Sequence, residues 1–191
     1  HGTQRGNMIA TATDPLLLNW TKMTGDAVIP IKNPDGSAQP YRIFDPCIWK
    51  QGDYYYSLSA GTQPHPPSGR RMRLNSLFRS TDLLNWEYRH PFVEGDFFSL
   101  IGDDGACPYF WPIGDRHILL HFSHMSGGKY LLGDYDTQRQ KFVVTAAGIV
   151  WLLLSVTPDA KGYDTHTQLG MSPCSWPASM AGDSLSSLSS C

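Results

Sequence analysis

An all-β fold of about three repeated four-stranded antiparallel units is what the sequence predicts, on three observations. The stretches "DPCIWKQGDYYYSLS", from Asp45, and "CPYFWPIGDRHILLHFS", from Cys107, superpose at an offset of 62, with Pro46 on Pro108, Trp49 on Trp111 and Gly52-Asp53 on Gly114-Asp115. "TDPLLLNW", ending at Trp20, matches "STDLLNW", ending at Trp86, at an offset of 66. A weaker copy, "YLLGDYDTQRQKF" at 130–142, trails the second hairpin as "LFRSTDLLNWEY" trails the first. Units of this kind stack radially into a β-propeller, each sheet burying its faces against its neighbours.

Each element follows from its residues. Asp14-Pro15 opens the first blade motif, and "NPDG" at 33–36 is a run of turn formers. Aromatic and β-branched runs on both sides of Gly52-Asp53, and again of Gly114-Asp115, read as hairpins, because Gly supplies the positive φ that such turns need. "LFRS" is a strand leading into the Asp-containing turn before Trp86. The rhythm stops after about Ala147, so residues 1–147 form the propeller domain and 148–191 an irregular, Ser-rich, poorly ordered tail. A propeller needs at least four blades. With about three here and His1 in place of Met, an incomplete propeller lacking an N-terminal strand set is expected.

Composition narrows the function. Fifteen basic against seventeen acidic residues leave a net charge of -2, which supplies no field for a nucleic-acid backbone or an anionic membrane. The one basic run, Gly69-Arg70-Arg71-Met72-Arg73, reads as a solvated loop. The apolar run "IVWLLLSV" at 149–156 is too short to span a bilayer. No signal peptide is visible, which leaves cytoplasmic and secreted locations both open, and the oligomeric state is undetermined. Four cysteines without CxxC spacing point to neither zinc nor a disulfide framework, and two of them, Cys47 and Cys107, sit in apolar strands as small hydrophobes. His121 and His124 fall on opposite strand faces, which speaks against a metal pair and for two exposed or half-buried histidines.

Three segments resemble glycoside hydrolase family 32, the β-fructofuranosidases, invertases and fructan hydrolases. "FRSTDLLNWEY" is similar to the family's Ser-x-Asp-Leu-x-x-Trp blade motif, "YRIFDPCIWKQGDYYY" to its Arg-Asp-Pro segment, and "GACPYFWPIGDRHILLHFSHMSGGKYLLGDYD" to its Glu-Cys-Pro segment. The resemblance runs from about Gly6 to Thr145 and implies a five-bladed propeller. It also implies retaining hydrolysis of β-fructosides such as sucrose or fructans by two carboxylates, without a cofactor. It makes Asp45 the transition-state stabiliser that binds fructosyl hydroxyls, with Arg42 and Tyr109 as further substrate contacts. Departures are equally plain. Phe44 stands where the motif has Arg, Ala106 where it has the acid/base Glu, and no Asn-Asp-Pro-Asn-Gly nucleophile segment is present.

Two readings of these departures follow. In the first, an incomplete glycosidase uses Asp104 as a substitute acid, since strand periodicity puts 104 and 106 on one face, although Asp103, Asp104 and Gly105 also read as the turn before the strand. In the second, a non-catalytic carbohydrate-binding propeller keeps Asp45 and an aromatic wall of Trp49, Tyr54, Tyr109 and Trp111. An inactive fragment of a family enzyme is a third possibility. The partner in the first two is a small carbohydrate.

Overall fold

The computed structural model describes residues 6–150, all of whose regular structure is β. Four short strands come first, β1 (Gly6–Asn7), β2 (Ala10–Thr11), β3 (Thr21–Lys22) and β4 (Ile29–Pro30). They pair as β1–β4 and β2–β3. "NPDG" is the expected turn, with Gly36 donating its N–H to the Asn33 carbonyl.

The first complete blade consists of β5 (Phe44–Gln51), β6 (Tyr54–Ala60), β9 (Ser76–Ser80) and β10 (Glu87–Pro91), with a small hairpin of β7 (Thr62–Pro64) and β8 (Arg71–Arg73) between its middle strands. β11 (Val93–Glu94) leads out of it. The second blade is β12 (Ala106–Ile113), β13 (Arg116–Ser123), β14 (Gly127–Asp136) and β15 (Lys141–Ile149). β11 lies parallel to β15 on its outer edge and makes this sheet five-stranded. The fold is thus an incomplete propeller of two complete blades and two-stranded pairs before them. β15 runs to Ile149, past the expected stop at 147. The rest of the expected tail, from residue 151, lies outside the described residues.

The repeat holds at the level of the backbone. Gly52 and Gly114 turn the two hairpins with φ of 59° and 60°. In the Trp motifs, Leu17 and Leu83 adopt φ of 54° and 66°, and the ring N–H of Trp20 and of Trp86 donates to the Leu carbonyl three residues back, at 2.7 and 2.8 Å. A carboxylate stabilises each turn but comes from a different place. Asp14 accepts the Leu18 and Asn19 amides, whereas Asp82 accepts those of Leu84 and Asn85, and these bonds hold both carboxyls below the usual range. Asp136 repeats the device between β14 and β15.

The larger core lies between the blades. Tyr56, Leu58 and Leu77 of the first meet Phe110, Leu119, Leu131, Phe142 and Val144 of the second, with Phe92 in the connection. A second cluster, Ile29, Tyr41, Ile43 and Phe78, covers the other face of the first blade with the N-terminal segment. With both faces covered, β6 is buried continuously from Tyr56 to Ala60.

Candidate functional site

The innermost strands of the two blades both begin with a bulge, at Asp45 in β5 and at Cys107 in β12. These residues are partners under the offset of 62, and both adopt positive φ, 36° and 46°. A non-glycine residue held there is strained, and a bulge re-aims the side chain it carries. Here the two bulges meet: Asp45 Oδ2 accepts the Cys107 N–H at 3.2 Å and lies 3.5 Å from Cys107 Sγ. A half-buried carboxylate and an exposed thiol therefore stand together where the inner strands adjoin. Cys107 is not the buried hydrophobe that its strand suggested; Cys47 is, at the inter-blade core.

The other sequence-derived residues are more scattered. Arg42 is exposed just before β5, between buried Tyr41 and Ile43, and the bulge after Phe44 separates its alternation from that of Asp45. Ala106 is 4% exposed and pairs with Phe122. Asp104 lies before β12, and Gly105, with φ of 60°, interrupts the alternation that would put 104 and 106 on one face. Its carboxylate instead takes His124 Nδ1 at 2.6 Å and the His124 amide at 3.3 Å. Tyr109 is half-buried and edge-on to Trp111 at 6.5 Å. Of the remaining wall, Trp49 stacks on Tyr56 in the inter-blade core, and Tyr54 carries the Arg79 guanidinium over its ring.

Around the residues that lead into β12 lies a polar network that sequence reasoning missed. Asp103, 1% exposed, accepts Lys129 Nζ and Ser126 Oγ at 2.6 Å each and the Leu100 amide at 2.8 Å. Burial pushes its carboxyl up, but these donors outweigh burial and hold it well below the usual carboxylate range. Arg73 is buried and paired with Asp96, so the run Gly69–Arg73 is a solvated loop only in part. His121 is 1% exposed, not half-exposed, and neither ring nitrogen has a hydrogen-bond partner among the described residues. Among the described residues no cluster of His, Cys, Asp and Glu is placed to hold a metal ion.

His121 yields a pH prediction. Desolvation, with Arg73 adding to it, pushes the imidazole down to about 4 from 6.5. Between those values the unfolded chain binds more protons than the folded one, so stability falls as pH drops through the window, by about 3 kcal/mol in all. Urea unfolding at several pH values from 7 to 4 should show this loss, and His121→Leu should flatten it; an equal slope in the variant would assign the loss elsewhere.

The sequence model of the glycosyl hydrolases family 32 N-terminal domain matches residues 2–159. Fructan 1-exohydrolases are among the similar curated proteins: that of Bromus pictus is 29% identical over 145 residues, 69% of this chain and 23% of the relative. That of Hordeum vulgare is 29% identical over 157 residues, 75% of this chain and 25% of the relative. The chain thus spans about a quarter of the length of these relatives. A family-32 β-fructofuranosidase of Bombyx mori, solved in complex with sucrose, aligns with a TM-score of 0.47 and 25% identity over 71% of this chain and 32% of that one.

Proposed function

Because the chain belongs to the glycosyl hydrolases of family 32, through their N-terminal domain, we propose that its site binds a β-fructoside, such as sucrose or a fructan, without cleaving it. Asp45 accepts hydrogen bonds from a fructosyl diol, its bulge having turned the carboxylate to the exposed Cys107. In this reading Arg42 and Tyr109 are further substrate contacts. The observation that carries the loss of chemistry is Ala106. Hydrolysis at this site needs a proton donor for the leaving oxygen, and a buried methyl group supplies none. Calorimetry with fructose, sucrose and short fructans tests this. Binding without release of reducing sugar is expected, weakened about tenfold or more by Asp45→Asn, since bonds to a charged acceptor contribute about 1.5–3 kcal/mol. Equal affinity in the variant would remove Asp45 from the site.

One observation favours a second reading, in which a longer form of the protein hydrolyses β-fructosides by the retaining two-carboxylate mechanism. Asp104, just before β12, and His124, just after β13, share a short hydrogen bond, a carboxylate–imidazole pairing of the kind used in general acid–base catalysis. If turnover appears and Asp104→Asn abolishes it, this reading replaces the first.

A further inference from the structure

We propose that Arg73 is a positioning residue for the Asp45–Cys107 site, acting through the inter-blade loop 95–105; its bearing on sugar affinity rests on the binding reading above. This loop delivers Ala106 and Cys107 to the start of β12. Its first half is gripped from the first blade by the Arg73 guanidinium. Arg73 donates Nε to Ser99 Oγ at 3.0 Å, Nη2 to Asp96 and Nη1 to Asn75. Asn75 is fixed in turn, its carbonyl accepting the Phe92 amide at 2.8 Å.

Asp96 passes the constraint into the loop. Its Oδ1 accepts the amides of Phe98 and Ser99, and its Oδ2 the Ser99 hydroxyl at 2.6 Å. Further along, the Gly102 amide donates to the Arg71 carbonyl at 2.7 Å, so β8 holds this end too. The stem of Arg73 then packs directly under Gly105, where an added Cβ would lie 2.4 Å from both Cγ and Cδ. Only a residue without a side chain fits over that stem, and its positive φ sets the entry of β12. Asp103, between these two holds, is tied to the second blade through Lys129. Arg73 therefore fixes, from the first blade, a loop whose next residues present Cys107 to Asp45 of that same blade. A Lys could balance the charge of Asp96 but could not reach Ser99 and Asn75 with the same planar fork.

The test uses the full chain carrying Arg73→Met with Asp96→Asn, which removes both charges and strands neither. Two quantities are read: affinity for short fructans by calorimetry, and the rate of Cys107 alkylation by iodoacetamide, resolved from the other cysteines by peptide mass spectrometry. A carboxylate at hydrogen-bond distance opposes thiolate formation, so Asp45→Asn serves as the reference for a thiol released from Asp45. The paired variant is expected to keep a cooperative melt, to alkylate about tenfold faster, near the Asp45→Asn rate, and to bind about tenfold more weakly. A cooperative melt with the wild-type alkylation rate would overturn the proposal. If the pair fails to melt cooperatively, Arg73→Lys is judged on the same rate, with an increase supporting the proposal and no change overturning it. If the wild type binds no sugar, the binding reading falls, while the Cys107 rate still decides the role of Arg73.

Discussion

Phe92→Ala is expected to cost about 3–5 kcal/mol of stability, as truncation of a large side chain in a packed core does. Phe92 is 0% exposed and sits where the chain passes from one blade to the next. Its ring meets Phe110 edge-on at 4.8 Å, stacks on Phe142 at 6.1 Å and lies tilted against Trp49 and Tyr135. Its backbone joins the same two blades, donating to the Asn75 carbonyl and accepting the Phe142 amide at 3.0 Å. The pinned backbone limits collapse of the cavity left by the ring, which argues for the upper part of the range. Urea unfolding measures the loss, with Phe97→Ala as control. Phe97 is 92% exposed in the adjacent loop, and its truncation should stay within about 0.5 kcal/mol. Similar losses in both variants would contradict an inter-blade core centred on Phe92.

Lys129→Met is expected to have an effect of the same size, about 3–5 kcal/mol, for an electrostatic reason. Lys129 is 8% exposed and Asp103 1% exposed, so removing the ammonium leaves a buried carboxylate with only neutral donors, among them Ser126 Oγ and the Leu100 amide. Asp103→Asn in the Lys129→Met background should recover part of the loss, because it is the unpaired charge, not the missing contact, that costs most. The pair also gives a pH signature distinct from that of His121. The folded carboxyl of Asp103 is depressed, so its contribution is fully present above the unfolded value, about 3.9, and is lost as pH falls below it. Stability of the wild type should therefore decline first through the histidine window and again below about pH 4, with the second decline smaller in Lys129→Met, where only the other depressed carboxyls, such as Asp14 and Asp82, still contribute to it.

How much of this was legible in the sequence follows from the range of the interactions involved. The hairpins at Gly52 and Gly114, and the turns before Trp20 and Trp86, are set by neighbouring residues, and their copies could be matched letter by letter. β11 was not foreseen as a strand, since "VE" carries no pattern of its own and owes its state to β15. The meeting of Asp45 with Cys107 was hidden for a different reason. Each sits in a bulge, and a bulge shifts the phase on which alternation arguments depend. Gly105 defeated the placement of Asp104 beside Ala106 in the same way. Arg73 looked like part of a solvated loop because its acid, Asp96, lies 23 residues distant, and the Lys129–Asp103 pair, 26 residues apart, left no local signal at all. His121 shares a strand with apolar neighbours, but nothing local announces that it faces buried charges from other elements.

The claim that the chain binds a β-fructoside at Asp45 without cleaving it is tested most directly by following a sucrose titration with amide-resolved NMR. The Cys107 N–H reports on Asp45, since it donates to the oxygen that the sugar hydroxyls would engage. Saturable shifts at the Asp45 and Cys107 amides, absent in Asp45→Asn and unaccompanied by free glucose or fructose signals, are the predicted result. Growth of free hexose signals, or saturable shifts confined to residues away from Asp45 and Cys107, would contradict it.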